Sequence, residues 1–134
     1  MTTDIEIEAW LAKAELSLAG AASELDNRRY DYAANRCYYA TFQAAIVALL
    51  RAGIWPNDPR SGWGHGFVQA QFHGHLINRR KLYPAELRTT LIRLLELRRA
   101  ADYEPDQVNA TEASRGLCRA GEFVAAIRLG GGAQ

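Results

Sequence analysis

What the sequence has little of narrows the possibilities first. It holds two cysteines, one methionine and four prolines, and no apolar run nears the roughly 18 residues that a membrane-spanning helix needs. A membrane protein is therefore not expected. Two thiols cannot build the disulfide framework of a small secreted domain. Cys37 and Cys118 both fall inside helical patterns, so both read as reduced core residues. An excess of one charge is also missing, since the formal net charge is +1. The chain as a whole is no polyelectrolyte, and any RNA or nucleotide must be met by a local basic cluster. The acidic opening, Met1 through Glu6, lacks the basic-then-apolar layout of a secretory leader, so a cytoplasmic location is expected. Walker loops, Gly-x-Gly-x-x-Gly, a Ser-His-Asp arrangement, paired-cysteine metal motifs and Glu-x-x-His pairs are all missing. His73 and His75 come nearest to a metal clip, but two ligands at that spacing, with no acidic partner recurring nearby, make no site. Neither a metal nor another cofactor is expected.

What is present is helical pattern. With 134 residues, 49% of them hydrophobic, the chain fits one domain with a real core. The spacing predicts a first helix over Asp4–Asp26, with Ile7, Trp10, Leu11, Ala14, Leu18, Ala21 and Leu25 on one stripe. Asp4, Glu6 and Glu8 sit at the positive end of its dipole. The break at Asp26–Arg29 has no glycine, which leaves Asn27 as the expected left-handed cap. A second helix, Asp31–Arg51, ends before Gly53 and mixes alanines with Tyr32, Tyr38, Tyr39 and Phe42. The alanines permit close helix approach and the rings fill the rest. Ile54–Gly64 reads as a loop. His65–Asn78 carries a third, weaker helix, with Phe67, Val68, Phe72, Leu76 and Ile77 on its apolar side and Gly66 and Gly74 against it. Pro84 opens a fourth helix running to Tyr103. Asn109 and Glu112 have capping-box spacing for a fifth, whose stripe is Ala113, Leu117, Ala120, Val124 and Ile127. No segment alternates with period two. The expectation is an all-α, up-and-down bundle of about five helices over residues 1–129, with a disordered Gly130–Gln134 tail.

Charges on an apolar stripe need explaining, whereas charges on a solvated face do not. Leu87, Leu91, Leu94 and Leu95 mark the buried side of the fourth helix, and Arg98 and Asp102 continue that stripe. An i,i+4 carboxylate is the nearest partner for a guanidinium placed there. The competing reading is an arginine near the helix end that snorkels to water. Tyr103 follows with a phenol able to donate, accept or stack. On the second helix Arg36 is flanked by Tyr32 and Tyr39. It either holds a phosphate or carboxylate and stacks on a ring, or ties two helices together. His65 opens a helix after a glycine-containing loop, where its ring can face a cleft or simply cap. Arg28–Arg29 and Arg79–Lys81 are basic turns, either solvated or tracking a phosphate backbone.

Four stretches, taken in order, resemble the HEPN family of small stand-alone prokaryotic helical domains. They are Ala14–Leu18, Tyr30–Ala44, Gly64–Leu87 and Leu97–Tyr103, followed by a last helix with Ala120–Phe123. The most specific pieces are Arg36-x-Tyr38-Tyr39-Ala40 and Arg98-x-x-x-Asp102-Tyr103. The resemblance implies a homodimer, often encoded beside a minimal nucleotidyltransferase. In many members it also implies a toxin that cuts RNA without a metal, through an arginine followed after four to six residues by a histidine. Here Arg98 is followed after four residues by Tyr103, a poor general base at neutral pH. The literal match, Arg60 to His65, lies in the loop before the third helix. That match reads as chance, and the departure puts ribonuclease activity in doubt unless His65 approaches Arg98 in space and supplies the missing imidazole. The implied site has Arg98, His65 and Tyr103 as catalytic candidates, Arg36, Arg98 and Tyr39 for phosphate or nucleic acid, and Asp102 to orient. The alternative is a non-catalytic module that docks a nucleotidyltransferase, with the same residues as a polar lock.

Overall fold

The computed structural model describes residues 2–56, 58 and 62–130, and the description below is confined to these. Five helices follow one another: α1 (Thr2–Asp26), α2 (Tyr30–Arg51), α3 (His65–Gln71), α4 (Ala85–Tyr103) and α5 (Ala110–Arg128). No strand occurs among the described residues. Of the expected tail, residues 131–134 lie outside the description, as does Arg60.

The long second helix is the axis of the bundle. It packs against α1, α3, α4 and α5, and nearly every position from Ala44 to Leu50 is sealed from solvent. Its alanines are small enough for neighbouring backbones to come close: Ala33, Ala34, Ala40, Ala44 and Ala45 are all fully buried. Phe72, Phe123, Leu91, Leu94 and Ile127 come in from the other helices to complete the core. The leucines expected on α4 are buried, and so is the α5 stripe except Leu117, which is half-buried, with Gly116 and Phe123 added. Close packing also explains Gly116 on α5, where an added Cβ would stand 3.0 Å from a Leu97 methyl. Asn109 and Glu112 form the capping box that the spacing predicts, the Asn109 side chain accepting from the Glu112 N–H at 2.8 Å.

Three expectations are corrected. The α1–α2 turn is left-handed at Arg28 (φ 61°), not at Asn27. The Arg29 N–H bonds to the Glu24 carbonyl and the Arg28 N–H to the Leu25 carbonyl, which makes Arg28 the left-handed residue of a Schellman closure. Asn27 instead donates its side-chain amide to the Ser23 carbonyl at 2.9 Å. The third helix is α-helical only to Gln71, and Phe72–Arg79 continues it as a π-helix. The wider turn brings Phe72, Leu76 and Ile77 inward together, and it closes with the Arg80 N–H on the His75 carbonyl at 2.9 Å. Finally, Cys37 is buried but Cys118 is exposed on α5, four residues ahead of Glu122.

Candidate functional site

The polar centre grows from consecutive tyrosines on α2. At helical pitch Tyr38 and Tyr39 lie about 100° apart, so one ring enters the core while the other stays at its rim. Tyr38 is fully buried and Tyr39 half-buried. A buried phenol needs a hydrogen-bond partner, and the first residue of α3 supplies it. The Tyr38 hydroxyl and the His65 Nδ1 are 2.7 Å apart. The His65 ring is packed on three sides, with its centroid 4.8 Å from Phe42, 5.4 Å from Tyr38 and 5.9 Å from Tyr39.

Two cations lie over these tyrosines, and both reach Tyr39. The Arg98 guanidinium, delivered by α4, lies 5.9 Å from the Tyr38 ring centroid and 5.7 Å from that of Tyr39. Arg36, on α2 itself, lies 5.1 Å from the Tyr39 ring, its aliphatic stem running past Gly20 of α1. Two guanidiniums within 6 Å of one ring are favoured by its π face, but they repel each other. Arg98 is compensated by Asp102, with Nε to Oδ2 at 3.1 Å, and its side chain is only 16% exposed. It is therefore a half-buried ion pair and not an arginine reaching freely to water. Arg36 has only the neutral Asn35 amide, whose Oδ1 accepts from Nε at 3.2 Å and from Nη2 at 2.8 Å. Among the described residues no carboxylate pairs with Arg36.

This environment sets the proton states. Burial pushes the Tyr38 phenol up to about 12, so it keeps its proton at neutral pH. Burial also lowers the His65 pKa, and the charges of Arg98 and Arg99 push it the same way. The imidazole is thus neutral at pH 7, with one nitrogen engaged by Tyr38 and Nε2 left for another group.

The fold therefore brings His65, Arg98 and Arg36 each within 6 Å of the Tyr39 ring, with Asp102 attached through Arg98. Tyr103 lies one residue further on, 76% exposed, and touches none of these rings. Sequence reading passed over Tyr38 and Phe42 as site residues. The available signal was a tyrosine on the inward face of an alanine-rich helix, which must find a partner for its hydroxyl. Beside the centre, a cleft of about 490 Å³ opens between the start of α2 and the end of α4, lined in part by Arg28, Tyr32, Asn35 and Asp102. Among the described residues no three His, Cys, Asp or Glu side chains gather to hold a metal ion, and no helix is long and apolar enough to cross a membrane.

A search of the curated proteins found no match. The model of the HEPN domain, by contrast, matches residues 7–129, nearly the whole of the bundle that carries this centre. With that coverage and this all-helical architecture, the chain belongs to the HEPN domain family of ribonuclease- and nucleotide-related helical modules.

Proposed function

We propose that this protein binds RNA and cleaves it without a metal ion, as a cytoplasmic homodimer of toxin-antitoxin or defence type. The observation that carries the reading is the meeting of His65 and Arg98 on the same tyrosine pair. The imidazole missing after Arg98 along α4 is supplied from the start of α3, 33 residues earlier by the numbering. Arg98 and Arg36 take the phosphate, where the uncompensated charge of Arg36 favours a bound anion. In the base-competent tautomer, His65 donates Nδ1–H to the Tyr38 oxygen and presents the Nε2 lone pair. Nε2 removes the proton of the ribose 2′-hydroxyl, and that oxygen attacks phosphorus. The P–O5′ bond breaks, leaving a 2′,3′-cyclic phosphate and a 5′-oxygen that takes a proton from water, while Nε2 returns the proton it took to solvent. Asp102 holds Arg98 in place.

A second reading is supported by the exposure of Tyr103. A large phenol at a helix end, 76% exposed, suits a surface that docks a partner such as a nucleotidyltransferase. In that case the His65–Arg98 centre is a structural lock. Incubation with single-stranded RNA in excess chelator separates the two readings. The catalytic one expects cyclic-phosphate ends from wild type and at least a hundredfold loss, roughly the contribution of one acid–base group, in Arg98→Ala and His65→Ala. Equal cleavage by all three proteins, or none by wild type at high concentration, removes it.

A further inference from the structure

A cleft lies beside the arginine centre, between the start of α2 and the end of α4. The geometry points to a nucleobase-binding subsite there, taking the unpaired base of the nucleotide whose phosphate lies on Arg98 and Arg36. This inference deepens the RNA-binding reading and rests on it for the kind of ligand.

The cleft encloses about 490 Å³, within the range of pockets that take small organic ligands. One wall is Tyr32, a residue 64% exposed although it lies on the central helix. An aromatic face left open inside a concavity is what an unpaired base stacks on. Donors and acceptors sit around it with their free valences defined. Asn35 spends its oxygen on two bonds from Arg36, which leaves both its N–H donors uncommitted. Asp102 spends Oδ2 on Arg98 and keeps its other oxygen. Gln107 adds a side-chain amide to the lining. A carbonyl acceptor beside N–H donors, the edge that guanine presents, meets donors from Asn35 and an acceptor from Asp102. Arg28 and Arg29 rim the cleft. Arg29 is paired with Glu24 at 3.0 Å, whereas Arg28 has no carboxylate partner among the described residues and occupies a left-handed backbone conformation that disfavours a side chain.

The cleft and the cleavage centre share two bridges. Asn35 belongs to the cleft and orients Arg36, and Asp102 belongs to the cleft and orients Arg98. A base held in the cleft therefore places its own phosphate toward the paired guanidiniums.

The test is calorimetric titration of the full-length chain with guanosine 5′-monophosphate and, separately, with ribose 5-phosphate. The comparison includes wild type, Tyr32→Ala and Tyr32→Phe. Because Tyr32 is exposed, both variants are expected to keep the wild-type circular dichroism. The subsite predicts that wild type binds the mononucleotide at least tenfold more tightly than the sugar phosphate. It predicts that Tyr32→Ala weakens the mononucleotide by about fivefold to a hundredfold, the range for loss of one base–aromatic stack. Tyr32→Phe should restore it, and ribose 5-phosphate affinity should be the same in all three. Equal affinity for the two ligands, no binding of either, or an undiminished Tyr32→Ala overturns the subsite. Mononucleotide binding that depends on Tyr32, in a protein that leaves RNA intact, removes the cleavage reading and keeps the subsite.

Discussion

At the level of single residues, the hydrogen bond between Tyr38 and His65 does the most. Burial and two nearby arginines lower the histidine's pKa, so the folded state prefers the neutral ring. An unfolded chain, with an ordinary histidine pKa near 6.5, then binds more protons as the pH falls. The contribution to stability is full above the unfolded value and is lost as the pH drops through the lower, folded value. A denaturant-midpoint series from pH 7.5 to pH 4.5 should show this slope in wild type and a smaller one in His65→Phe. Tyr38→Phe removes the partner of Nδ1 while keeping the ring. It should lower kcat by about tenfold or more, the scale of a lost orienting hydrogen bond, and move the acid limb of the pH–rate profile; an unchanged profile would remove Tyr38 as a positioning residue. The thiols make a separate prediction. Burial pushes the Cys37 thiol up to about 12, whereas Cys118 is exposed. A thiol reagent should modify one cysteine per native chain and both after denaturation. Periodicity alone does not separate them, because Cys118 lies one residue after the Leu117 stripe position.

At the level of elements, most of the fold is legible in the amino-acid sequence. Apolar spacing, the alanine-rich second helix, Pro84 and the Asn109–Glu112 box place five helices with their buried faces. What is not legible depends on local closure energetics that differ by about a kcal/mol between neighbouring positions. Asn27 is the better left-handed residue by type, yet the Schellman bonds of α1 close one position later, on Arg28. Arg28→Gly should therefore raise stability by about 1 kcal/mol, or roughly 3–5 °C in Tm for a domain of this size. It should also remove a cation from the cleft, so gain in Tm with loss of nucleotide affinity is the expected pairing. Differential scanning calorimetry checks the first half; a fall in Tm would show that the Arg28 side chain contributes more than its backbone strain costs. The π-helical stretch is hidden for another reason. One extra residue per turn leaves no compositional mark beyond Gly74, and only the joint burial of Phe72, Leu76 and Ile77 reveals it. Gly121 offers a cleaner check of helix energetics on α5, because an added Cβ there meets nothing within 4 Å. Gly121→Ala should stabilise by about 0.5–1 kcal/mol, read as a higher denaturant midpoint at unchanged slope.

At the level of the whole molecule, the centre is composite. Its parts come from α2, from the first residue of α3 and from the end of α4, and no local motif spans them. Reading along α4 finds Arg98, Asp102 and an exposed Tyr103 where an imidazole was wanted. Reading along α3 finds His65 with no evident partner. The two come together only because α2 carries adjacent tyrosines that both approach, and sequence does not show contacts across 33 positions. The central claim is that His65 and Arg98 act on the same phosphate, and a double-mutant cycle on RNA cleavage in excess chelator tests it most directly. If they form one unit, the His65→Ala/Arg98→Ala double variant should be no more than about threefold slower than the slower single variant, as for residues that act together. Losses that multiply fully in the double variant, or a single variant that cleaves like wild type, would contradict the composite site.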